Sequence, residues 1–99
     1  MAIIEVTVVP LGTGDTSLSK YVADCHRVIE KYNVTWELTP MGTVFEGELS
    51  MILKIIREMH EVPFDKGAQR VSTTIRIDDR RDHKATLEQK KKSVMDKLK

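Results

Sequence analysis

Cysteine is the scarcest informative residue in this sequence. With Cys25 alone there is no internal disulfide, and no thiolate cluster can hold a metal. A lone thiol suits a reducing compartment, so a cytoplasmic location is expected. Charge of one sign is also scarce. The formal net charge is +1 at pH 7, which leaves no electrostatic footprint for nucleic acid. The opening MAIIEVTVVPLG is apolar but too short for a membrane span, is interrupted by Glu5, and lacks the basic region of a signal peptide. Neither a nucleic-acid nor a membrane partner is expected.

What is present is an ordinary globular composition, 40% hydrophobic and 31% charged, in 99 residues. That length suits a single domain over 1–99. A chain this size hides only about two-thirds of its unfolded surface, so its core is thin and self-association would supplement it. Residues 3–9 are rich in β-branched side chains and stop at Pro10, which reads as a strand. Ile4, Val6 and Val8 share one of its faces; Ile3, Glu5, Thr7 and Val9 share the other. From 17 to 32 the pattern turns helical, with Leu18, Val22, Cys25 and Ile29 in a stripe. Residues 34–38 and 43–47 form a hairpin about Pro40, Met41 and Gly42. A helix over 49–61 buries Leu49, Ile52, Leu53, Ile56 and Met59, and Pro63 forbids its continuation. Residues 70–78 form a fourth strand, and 86–98 a last helix with Leu87, Val94, Met95 and Leu98 on one side.

The order β-α-β-β-α-β is that of a split βαβ, ferredoxin-like α+β sandwich. Right-handed crossovers give a four-stranded antiparallel sheet of order 4-1-3-2, with two helices on one face and an added C-terminal helix. The other face would carry Glu5, Thr7, Val9, Thr35, Glu37, Ser72, Thr74 and Arg76. Such a mixed face is either solvated or packed on another subunit. The last helix favours packing, because its apolar positions need a surface, on its own sheet or on a neighbouring chain.

Candidate chemistry is sparse. The loop GTGD at 12–15 precedes a helix but has neither dinucleotide spacing nor a P-loop lysine, and its glycines serve a turn. His26, His60 and His83 lie on different elements without metal spacing; His60 is expected at a helix end. Trp36 shares a face with Val34 and Leu38, as core or as the wall of a pocket. Glu46 carries the most weight. It sits opposite in face to Phe45, with Arg76 and Glu5. There it is either half of a cross-sheet ion pair or an acceptor for an amine-bearing ring, with hydroxyl neighbours such as Thr43 and Thr7. Arg76, Arg80, Arg81 and Lys84 cluster, as an anion site or a solvated loop.

PLGTG at 10–14, SLSKYVA at 17–23, LTPMGTVFEGEL at 38–49, GAQRVSTTIRIDDRRD at 67–82 and TLEQKKKSV at 86–94 occur in this order. In these the chain resembles the small thiamine-binding protein family, of the YkoF-like superfamily. The resemblance implies the same fold and no enzymatic activity. It further implies sheet-to-sheet dimers pairing into a homotetramer, and a ligand such as thiamine or its hydroxymethylpyrimidine moiety. Its binding residues carry over to Thr43 and Glu46, then to Trp36, Glu37 and Met41, and by position to Thr7 and Arg76. The implied function is a non-enzymatic oligomeric binder for salvage or sensing, with pockets at subunit contacts. The alternative is a ligand-regulated scaffold that binds a small anion. No cofactor is expected.

Overall fold

The computed structural model describes all residues except 13, 15–18, 83–86 and 99, together with the side chains of Ser19 and Leu87. The expected helix start at 17, Leu18, His83, Lys84, Thr86, the Leu87 side chain, and Thr13 and Asp15 of GTGD lie outside the described residues. The elements run β1 (Ala2–Leu11), α1 (Ser19–Ile29), β2 (Thr35–Thr39), β3 (Gly42–Gly47), α2 (Leu49–Asp65), β4 (Arg70–Asp79) and α3 (Leu87–Lys97). The sheet order is β2-β3-β1-β4 with every neighbouring pair antiparallel, which is 4-1-3-2 read from the other edge. This is the ferredoxin-like α+β fold.

Alternation divides the sheet cleanly. Ala2, Ile4 and Val6 of β1 and Phe45 of β3 turn inward and meet Cys25, Val28 and Ile29 of α1 and Ile52, Ile55, Ile56 and Met59 of α2. The buried stripe of α2 contains Ile55, whereas Leu53, expected inside, is exposed beside the β4 edge. On β4, Ile75 and Ile77 turn to the helix side but stay exposed: α2 reaches this edge strand at Thr73, through His60, without covering it.

Two prolines fall inside elements that they were expected to end. β1 continues through Pro10 to Leu11. The β1–β3 ladder ends at Val6 and Thr43, so Pro10 has β4 on one side only, where a missing N–H is tolerated. α2 likewise continues through Pro63 to Asp65. Proline removes the donor to the carbonyl four residues back, that of Met59, and there the Cys25 thiol donates instead, at 3.6 Å. The true stop is Gly67 at φ +100. Its N–H bonds the Phe64 carbonyl and that of Ala68 the Pro63 carbonyl, both at 3.0 Å, which is a Schellman cap. His60 is therefore inside the helix, hydrogen-bonded through Nδ1 to the Thr73 hydroxyl at 2.7 Å.

α3 lies over the open face. Lys90 pairs with Asp78 on β4, and Lys91 with both oxygens of Glu37 on β2, at 2.9 Å. Its apolar positions Val94, Met95 and Leu98 remain exposed.

Candidate functional site

Where β1 outruns β3, the sheet opens. The second half of β1, the β2–β3 turn and α1 surround a cavity of about 440 Å³ floored by Met59. Small-molecule sites begin at roughly 300 Å³, so a single ring system fits. The turn that forms its rim is held tightly. The Thr7 hydroxyl donates to the Met41 carbonyl at 2.9 Å. The Thr39 hydroxyl accepts from the Met41 N–H at 3.2 Å and donates to the Gly42 carbonyl at 2.9 Å. Gly42 has φ +155, and a side chain there would lie 2.7 Å from the Val6 carbonyl oxygen.

Among the described residues, no Asp, Glu, Lys or Arg lines this cavity. Its polar groups are Thr7, Thr39, Thr43 and His26, set among Val22, Cys25, Met41 and other apolar side chains. Thr43 is 5% exposed, and its hydroxyl lies 3.3 Å from Nε2 of His26. The His26 ring stacks on Trp36 with centroids 4.9 Å apart, tilted by 36°. Burial holds the His26 imidazole below its usual pKa, against the opposing influence of Glu30. Burial, with Asp24 beside it, pushes the Cys25 thiol up to about 11, so it stays protonated and unreactive.

The sequence-predicted residues divide between the two faces. Thr7, Met41 and Thr43 line the cavity. Trp36 is 39% exposed rather than core: it stands on the edge strand β2 against His26, and is not itself among the residues that line the cavity. Glu46, Glu37 and Arg76 are on the open face. Thr43 is three residues from Glu46, about 10 Å along the strand and on the other face, so its hydroxyl is not a neighbour of that carboxylate. Arg76 lies opposite Glu5, with 3.9 Å between their charged groups. Arg80 is bound by Asp82 at 2.7 Å, and Arg81 by Asp79 at 2.8 Å, so these two cations of the expected cluster are each paired with a neighbouring carboxylate. α1 contributes Val22, Cys25 and His26 to the cavity, none of them visible to strand patterning. Their signal was present, since 22, 25, 26 and 29 form one helical stripe.

Among the described residues no group of His, Cys, Asp and Glu has metal-site geometry, and no helix is long and apolar enough to cross a membrane.

The chain is thus a small ferredoxin-like domain with a ring-sized cavity beside its β2–β3 hairpin, lined by no charged side chain among the described residues. Residues 4–95 match the family described as thiamine-binding protein, and the chain belongs to that family. It is 52% identical over 98 residues to the UPF0045 protein YqgV of Bacillus subtilis, covering 95% of this chain and 94% of that one. It is 43% identical over 99 residues to a UPF0045 protein of Methanothermobacter thermautotrophicus, covering 99% and 100%. A hypothetical protein of Methanocaldococcus jannaschii superposes with a TM-score of 0.87 at 39% identity, over 95% of each chain. A candidate thiamine biosynthesis/salvage protein of Thermotoga maritima shares the fold, with a TM-score of 0.76 at 22% identity over 94% and 97%.

Proposed function

We propose that this protein is a non-enzymatic binder of a small flat heterocycle of the thiamine class, either thiamine or its hydroxymethylpyrimidine moiety, held in the cavity beside the β2–β3 turn. The observation that carries the reading is the cavity itself: about 440 Å³ and, among the described residues, no charged side chain in its lining, with a few hydroxyls and one imidazole set in an apolar wall. Family membership supplies the ligand class. A wall of this kind suits recognition better than catalysis, which would call for a titratable pair in the cavity. The open face, with the exposed apolar side of α3, is the surface on which copies of the chain would assemble, as a homotetramer of sheet-packed dimers. Glu46, Glu37 and Arg76 would then belong to that interface, and would meet a ligand only where a second chain completes a pocket.

Isothermal titration with thiamine and with hydroxymethylpyrimidine tests this reading, using Thr43→Val and Glu46→Gln as paired controls. Saturable binding lost in Thr43→Val and kept in Glu46→Gln is the expected result. The reverse pattern moves the ligand to the open face. Flat titrations of the wild type with both compounds would overturn the function.

A further inference from the structure

Among the described residues that line the cavity, His26 is the group whose charge changes near neutrality. We propose that the His26–Thr43 pair is the specificity-determining element of the cavity: it reads the edge of a flat nitrogen heterocycle bearing an amine donor, and protonation of His26 releases that ligand. The inference rests on the heterocycle reading above and extends it to a named pair and a condition for release.

The argument begins with what the two groups can exchange. A neutral imidazole has one donor and one acceptor nitrogen, and a hydroxyl has one hydrogen and two lone pairs. At 3.3 Å, Nε2 and the Thr43 hydroxyl share a bond that runs either way. When the hydroxyl donates to Nε2, both its lone pairs are open to a ligand amine. When Nε2–H donates instead, the hydroxyl hydrogen is open to a ring nitrogen. The pair therefore adapts to either atom of an aminopyrimidine edge. An imidazolium has donors at both nitrogens, so only the second arrangement survives and the hydroxyl keeps one lone pair, not two, for the amine. It also places a charge against an apolar wall.

The surroundings favour the neutral form. Glu30, one turn along α1, pulls the other way, but burial outweighs it. On the same helix, Asp24 and Arg27 are paired at 2.9 Å, and Cys25 remains a thiol. Trp36 from β2, Thr43 from β3 and Met59 from α2 carry no charge. Glu37 is on the opposite face, held by Lys91. Thr43 is itself anchored in the core, so the pair is a fixed reader rather than a mobile side chain.

Trp36, the only tryptophan, stacks on His26 and reports its charge, because a stacked imidazolium quenches indole emission. The test is a fluorescence titration against pH, followed by hydroxymethylpyrimidine affinity across the same range. Ligand-free protein should show a quenching step with a midpoint below about 6.5, absent in His26→Gln. Wild-type affinity should weaken about tenfold between roughly pH 7.5 and pH 5. His26→Gln, which keeps a donor and an acceptor but does not titrate, should bind with a flat profile, and Thr43→Val should bind poorly at every pH. Binding at pH near 7.5 with no loss on acidification, or wild-type affinity in Thr43→Val, would overturn the pair's role while leaving the binding function intact. Absence of any wild-type binding would overturn both.

Discussion

The two faces of this sheet are made by the same strands, residue alternating with residue, yet they are held by different forces. On the helix side, Phe45, Ile4 and Val6 are almost completely buried against α1 and α2. On the open side, α3 is tied to the sheet by ion pairs from exposed lysines to Glu37 and Asp78. Apolar burial is worth roughly 25 cal/mol per Å² wherever it occurs, whereas exposed ion pairs contribute about 0–1 kcal/mol and are screened by salt. The helix side therefore carries the stability of the monomer, and the open side is left adjustable. The cavity lies at the boundary, where the first face runs out of helix and the sheet loses one of its ladders.

Neighbouring residues of β3 offer the sharpest way to break this contrast. Phe45→Ala should destabilise the domain by about 3–5 kcal/mol, close to the whole stability of a chain this size. Val44→Ala, one residue away on the open face, should cost about 1 kcal/mol or less. Urea midpoints for the two variants measure the difference, and equal shifts would show that the open face is packed as tightly as the core.

At the boundary, Gly42→Ala should cost about 1–3 kcal/mol, since its Cβ would meet backbone oxygen and the φ of +155 is strained for an L-residue. The β2–β3 turn would shift, and ligand binding should fall with stability in the same titrations.

Cys25→Ala leaves the Met59 carbonyl without its donor, for an expected loss of about 1–2 kcal/mol. The wild-type thiol also makes a pH prediction. Its folded pKa, about 11, is above the ordinary thiol value of 9.0, so between these pH values the unfolded chain has lost its proton and the folded one has not. Stability should therefore fall as pH rises through that window, and Cys25→Ala should remove this component of the slope. A slope unchanged by the substitution would show that the thiol is not desolvated.

The smallest effect is expected on the open face. Replacing Lys90 and Lys91 together by Ala should change monomer stability by less than about 1 kcal/mol, and added salt should mimic it. A larger loss would mean that α3 is part of the cooperative core.

Much of the fold was legible because its signals are local. The period of two placed Ile4, Val6 and Phe45 inward and Glu5, Glu46 and Arg76 outward, as the register confirms. The helix boundaries were less legible. Pro63 looked like a stop because the signal for continuing past it, the Cys25 thiol at the orphaned Met59 carbonyl, comes from 34 residues away. The site was legible only in part. Thr7, Met41 and Thr43 were named with Glu46, although alternation alone separates Thr43 from it; the motif joined what the pleat divides. His26 went unmarked because a histidine on a helical stripe gives no hint of the strand it will face.

By itself, the sequence determined which residues share a face, which segments become strands or helices, and the order in which they pair. These follow from covalent geometry and near-neighbour sterics, which act within a few residues. Only the tertiary structure decided where β3 stops pairing with β1, that α1 brings His26 onto Thr43 and Trp36, and that α3 crosses the open face. Those outcomes depend on burial and hydrogen bonding between residues far apart in the chain, and such energies exist only once the surfaces have met.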